Sequence, residues 1–184
     1  MLYLKENTVG IDIPLQKIQT KLHAALLSRW GIDTAMYNCF GRVYRNQDKQ
    51  GGYIPEAYKG LREYTDVLYN DRIIATSFFG VGNQTDYIGN NTFKATVHLI
   101  FCLNIDKIKT AIEHRADEEI HQDVINALRS GLRPDTIQSI VTGMDAIFRE
   151  YGGYKSQNGI IFTDMHPKHC FRINFELTFI NNNC

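Results

Sequence analysis

The chain has 184 residues, 43% of them apolar and 22% charged, which suffices for one hydrophobic core and excludes a disordered tail or a collagen-like chain. Twenty Lys and Arg balance twenty Asp and Glu. That neutrality argues against a general polyanion binder and leaves little repulsion between copies of the chain.

Residues 1–12 read as an N-terminal arm. Lys5 and Glu6 interrupt it and no apolar run follows, so no signal peptide is expected. The longest apolar stretches, such as 96–103, fall far short of the roughly 20 residues that span a bilayer. A protein made in the cytoplasm, with no membrane partner, is expected. The four cysteines, Cys39, Cys102, Cys170 and Cys184, are widely spaced and are expected to be reduced. Cys102 lies inside an apolar strand pattern, where a thiol behaves as a small hydrophobe.

The first clear element is a helix. Pro14 suits a helix start, Leu15, Ile18, Leu22, Leu26 and Trp30 share one face, and Gly31 offers the left-handed stop. A strand is predicted over 35–44, and a polar, glycine-containing loop over 46–52. Residues 64–69 and 73–81 are β-rich, and Asn70-Asp71 between them suggests that they pair as a hairpin. A second polar loop is predicted over 82–92, so that 46–92 forms a loop and hairpin excursion.

The alternating run of Phe93, Ala95, Val97, Leu99, Phe101, Leu103 and Ile105 predicts a strand with one apolar face. Its other face carries Lys94, Thr96, His98 and Asn104, so helices are expected on one side only. A helix is predicted from Asp117 to Gly131, with Glu118 and Glu119 in its first turn and Ile120, Val124 and Leu128 as its stripe. A second helix is predicted over 136–151, opening at Pro134-Asp135. Ile137, Ile140, Val141, Met144, Ile147, Phe148 and Tyr151 give it a broad apolar face before Gly152-Gly153. A short strand at 160–163, a loop at 164–169 and an alternating strand at 171–179 close the chain. The whole is one α+β domain over 1–184, a mainly antiparallel sheet with helices packed on one face and long excursions.

Little catalytic chemistry is legible. Phosphate-cradling and dinucleotide glycine motifs are absent, and no serine or cysteine sits in a nucleophile elbow. His166, His169 and Cys170 are the only weak candidates for a metal, and no CxxC or HxxxH half-site exists to complete them. His114 and His121 lie seven apart. Asp66, Asp71, Asp86 and Asp164 are carboxylates that a metal-dependent nuclease would need to gather. No cofactor is expected. Basic residues are scattered, so no sequence-specific nucleic-acid partner is expected either.

Tyrosines concentrate in the excursion: Tyr53, Tyr58, Tyr64, Tyr69 and Tyr87. Tyrosine offers a large contact area with a polar tip, so these residues, with Asn83, Lys94 and His98, are the candidate protein–protein interface. The ordinary alternative is cross-strand packing.

This order of elements is an amphipathic N-terminal helix, a meander with long loops, the strand 96–105 running into the acidic-started helix 116–128, then a helix before the terminal strand 171–179. It resembles the tail-terminator and neck (head–tail joining) structural proteins of tailed bacteriophages. The resemblance implies a non-enzymatic virion subunit, assembled in the host bacterial cytoplasm, that forms a homo-oligomeric ring, commonly a hexamer. Its implied partners are further copies of itself, the tail-tube protein and connector or portal-proximal proteins. The likeness is one of layout. Two other readings stay open: a small metal-dependent hydrolase or nuclease using His166, His169 and Asp164, and a generic cytosolic oligomerisation domain.

Overall fold

The computed structural model describes residues 1–111, 115–131, 136–155 and 165–180. Strand β1 (Leu2–Tyr3) runs parallel to β2 (Tyr37–Gln47), pairing Leu2 with Cys39 and Tyr3 with Phe40, so the arm is anchored as a strand. Between them lies α1 (Asp12–Trp30), whose face of Leu15, Ile18, Leu22, Leu26 and Trp30 is buried as the periodicity requires. Gly31 stops it at φ 62°, and its N–H bonds to the Leu27 carbonyl at 3.0 Å.

The chain continues through β3 (Tyr53–Gly60), β4 (Glu63–Asp66), β5 (Ala75–Gly89) and β6 (Thr92–Asn104). Then come α2 (Asp117–Gly131), β7 (Thr136–Thr142), the one-turn α3 (Met144–Ile147) and β8 (Lys168–Ile180). The sheet has the order β4-β3-β2-β5-β6-β8-β7, with β1 beside β2. It is a mixed, mostly antiparallel α+β sheet, the parallel contacts being β1–β2 and β2–β5.

Both faces of this sheet are covered. On one face α1 and α2 bury Leu22, Leu26, Ile120, Val124 and Leu128 against Val97, Leu99, Phe101, Phe171 and Ile173. On the other, Ile147 and Phe148 at α3, Tyr151, Tyr154 and Val67 close over Phe78, Ile100, Cys102 and Cys170. The two long helices therefore share one face as expected, while the short α3 belongs to the opposite layer. Asp123 of α2 ties the helices together. Only 3% exposed, it accepts from Trp30 Nε1 at 3.1 Å and pairs with Arg29 and with Lys109, the latter at 2.7 Å.

Several expected elements are corrected. The helix expected over 136–151 is strand β7 followed by α3, divided at Gly143, whose φ is 84°. The reason is a bulge between Ile137 and Ser139. It shifts the side-chain alternation by one, so Ile137 and Ile140 share a face three residues apart and imitate a helical stripe. The hairpin expected over 64–81 does not form, because β4 pairs with β3 and β5 pairs with β2 and β6. The tight β3–β4 turn places Leu61 and Arg62 at positive φ, beside Gly60. The loop expected over 82–92 is mostly strand, the outer half of a β5–β6 hairpin turning at Asn90 and Asn91, with φ 51° and 55°. Strand β2, expected over 35–44, starts after a 3₁₀ turn, Thr34–Met36, and runs on to Gln47. The last begins at Lys168, so His169 and Cys170 lie in β8 instead of a loop. Pro134-Asp135, the strand expected at 160–163, His114, Asp164 and Cys184 lie outside the described residues.

The turn after β2 packs on the 3₁₀ turn Gly152–Lys155 with no room for a side chain. A Cβ on Gly153 would stand 2.8 Å from Asp48 Oδ2 and 2.9 Å from the Gly52 carbonyl carbon. Replacing Gly153 with Ala is expected to cost about 1–3 kcal/mol by overpacking, or roughly 2–4 °C of Tm per kcal/mol. Gly152→Ala, where nothing lies within 4 Å, should leave the thermal transition unmoved and serves as the control.

Candidate functional site

Strands β5 and β6 extend past the helix-covered core. Residues 83–88 are all exposed, and Tyr87 and Ile88 reach 64% and 56% exposure near the hairpin turn. This projection is not slack. Tyr87 packs on Phe93, with ring centroids 5.4 Å apart, and Phe93 stacks on Phe179 of β8 at 5.7 Å. Continuous pairing of β6 with β8, from Thr92↔Ile180 beside the turn inward, backs the hairpin along its whole length.

At the root of the hairpin a polar row crosses the sheet through Gly80, His98, Asn174 and Ser139, which pair strand to strand. His98 Nδ1 donates to Asn174 Oδ1 at 2.7 Å, and Asn174 Nδ2 donates to Ser139 Oγ at 2.9 Å. Gly80 is required here because a Cβ would meet the Tyr151 hydroxyl at 2.6 Å. Arg172, 7% exposed, donates to Glu150 at 2.9 Å and to the Ile147 carbonyl at 3.2 Å, which fixes α3 over this row. Lys94 and Glu176 form a neighbouring pair at 2.6 Å. Burial pushes the His98 imidazole below its ordinary pKa; the Arg172 charge adds to this, and the Asn174 bond and Glu150 oppose it. Burial likewise pushes Tyr151 up to about 12. These groups make a rigid polar floor.

The candidate interface residues divide. Tyr53, Tyr64, Tyr87 and Asn83 are exposed. Tyr53 lies under Arg45, 4.3 Å from its ring centroid, while Tyr58 and Tyr64 pack together at 5.2 Å beside Tyr44. Lys94 and His98 belong to the polar floor. Tyr69 is the correction: it is 8% exposed, sits in the second core, and donates its hydroxyl to the Ile73 carbonyl at 3.3 Å. Tyrosine at a β-rich position buries well when one carbonyl receives its hydroxyl.

Among the described residues, the histidines and cysteines do not gather into one site. His166 pairs with Asp106 at 3.1 Å, whereas His169 Nε2 meets His121 Nε2 at 2.9 Å. Cys170 lies beside Cys102, sulfur to sulfur 3.1 Å, as direct partners across β6 and β8. Among the described residues no three His, Cys, Asp or Glu side chains converge as metal ligands. The carboxylates are likewise used locally. Asp66 accepts from the Leu68 N–H at 3.2 Å, Asp71 pairs with Lys168 at 2.9 Å, and Asp86 accepts from Gln84 at 2.7 Å. The groups that organise the polar floor, Gly80, Arg172, Glu150 and Tyr151, carry no sequence signal, since only strand pairing brings them together. Compared with known protein families and with curated proteins, the chain matches none.

His98 and His23 both have pKa values lowered by burial, so the unfolded state takes up more protons than the folded one as pH falls below about 6.5. Stability should therefore be fully present above that pH and decline as pH drops toward the lowered folded values. Thermal melts between pH 7.5 and 5.5 should show this decline, and His98→Gln should flatten it. Superimposable wild-type and variant profiles would show that His98 has no part in it.

Proposed function

We propose that this chain is a non-enzymatic structural subunit of a tailed-phage or prophage virion, forming a ring at the tail end or the head–tail neck. The observation that carries the reading is the projecting β5–β6 hairpin, a stiff extension of the central strands that leaves Tyr87 and Ile88 in solvent. Two large apolar side chains exposed at the end of ordered strands give the arm a surface that contact with a neighbouring copy would cover. A different surface on the next copy receives it, so the contact is heterologous, and such contacts close into rings when the rotation permits. Zero formal charge favours packing of like subunits. The exposed Tyr53 of β3 and Tyr64 of β4, on opposite faces of the sheet, supply further contact points, suited to the tail-tube and connector proteins that such a ring joins.

The reading as a metal-dependent hydrolase or nuclease draws less support, since His166 and His169 engage different partners. Native mass spectrometry and light scattering test the assembly. The full chain is expected as a closed oligomer, near six times 21.1 kDa if the ring is a hexamer. Ile88→Asp on the exposed tip should return it to a folded monomer, with an unchanged far-UV circular dichroism spectrum. A wild-type monomer at about 100 μM, well above typical specific affinities, would reject the proposal.

A further inference from the structure

The N-terminal segment, the start of α1 and strands β2 and β3 enclose a cleft of about 300 Å³, a volume at the small end of ligand sites. Its inner wall holds two buried oxygens without hydrogen-bond partners, Gln19 Oε1 and Asp12 Oδ1. Gln19 is fully buried, and its amide nitrogen is committed to the Tyr3 and Cys39 carbonyls at 2.8 and 2.9 Å. That fixes the amide orientation and turns Oε1 toward Gly41, where a Cβ would stand only 3.2 Å away. Gly41, which has no side chain, is the neighbour this acceptor faces.

Asp12, 5% exposed, gives its other oxygen to Lys5, and Arg42 stands 3.6 Å from Oδ1, too far for a hydrogen bond. A buried acceptor left without a donor is destabilising, so two on one wall mark where donors are to arrive. The charges around them add a second requirement. Lys5, Arg42 and Lys59 face a single carboxylate in this cleft, and Lys59 is exposed on β3. The surplus is positive. An incoming ammonium would meet Asp12 already flanked by two cations, whereas neutral donors inside and an anionic group outside match both features.

We propose that this cleft binds a small organic anion of nucleoside-monophosphate size, with neutral N–H or O–H donors turned inward to Gln19 and Asp12. Its anionic group lies toward Arg42 and Lys59. The ring of Tyr58, lining the cleft, supplies an apolar wall for a planar body. This site does not depend on ring assembly.

Calorimetric titration of the full chain with AMP, adenosine and inorganic phosphate tests it. AMP is expected to bind one-to-one, with adenosine and phosphate each at least about tenfold weaker, because each keeps only half of the complementarity. Lys59→Glu, on the surface, should weaken AMP about tenfold and leave adenosine unchanged. Gly41→Ala should weaken both, and where it lowers the melting temperature the Lys59 variant alone decides. No binding of AMP at about 5 mM would overturn the proposal. Phosphate alone matching AMP would overturn it too, as would a Lys59→Glu affinity equal to wild type.

Discussion

Strand β6 is the member against which both layers of this protein are built. Val97, Leu99, Phe101 and Leu103 point into the core under α1 and α2, while Ile100 and Cys102 point into the core under α3. A side-chain period of two is the constraint, since a slip of one residue against β5 or β8 would exchange the two sets. Each fully buried large side chain contributes about 1.5–3 kcal/mol, far above what any exposed ion pair supplies. The register of β5, β6 and β8 is thus held by apolar burial, and the outer hairpin inherits that order from its root.

Polar groups buried at the joints decide how the layers are aligned on this plate. Asp123 gathers Trp30, Arg29 and Lys109 between the two long helices. Tyr37 and Ser77 share a hydrogen bond at 2.7 Å below α1, with Cys39 beside them. Burial pushes the Cys39 thiol up to about 11, so it stays protonated and inert at neutral pH. Arg172 plays the corresponding part on the other face by engaging α3 through Ile147 and Glu150. These groups are directional where the apolar contacts are not, and each joins elements distant in sequence.

What was legible in the sequence follows from the same division. The helix α1 and strands β6 and β8 declare themselves because each has one unbroken period, and Gly31 ends the helix as read. β7 was hidden because its bulge converts a period of two into the spacing Ile137–Ile140, which a helix also produces. The partners of β4 and β5 were hidden because Asn70-Asp71 is a good turn without being a hairpin turn: β5 crosses to run parallel to β2, a pairing with no local signature. Asn90-Asn91 is the true hairpin turn, and it reads as one more polar pair in a polar stretch. Of the candidate interface residues, Tyr87 and Asn83 are exposed while Tyr69 is buried, since a tyrosine's burial depends on a carbonyl that only the fold supplies. The cleft was invisible for the same reason, because Gln19 and Gly41 become neighbours only when α1 lies along β2.

The hairpin tip and the cleft are separate surfaces. Arg42 at the cleft pairs in register with Phe79 of β5, and the strand runs ten residues further before it turns at Gly89. At about 3.3 Å per residue this places the two roughly 30 Å apart along the strand direction. A tip engaging a neighbour through Tyr87 and Ile88 therefore leaves the Gln19 wall untouched on its own subunit. Assembly and ligand binding couple only if the neighbour's tip reaches the cleft mouth at Lys59, and then an anion there would change the oligomer's stability by mass action. Rigid strands join the two surfaces, so any coupling runs through that contact between copies and needs no rearrangement of the sheet.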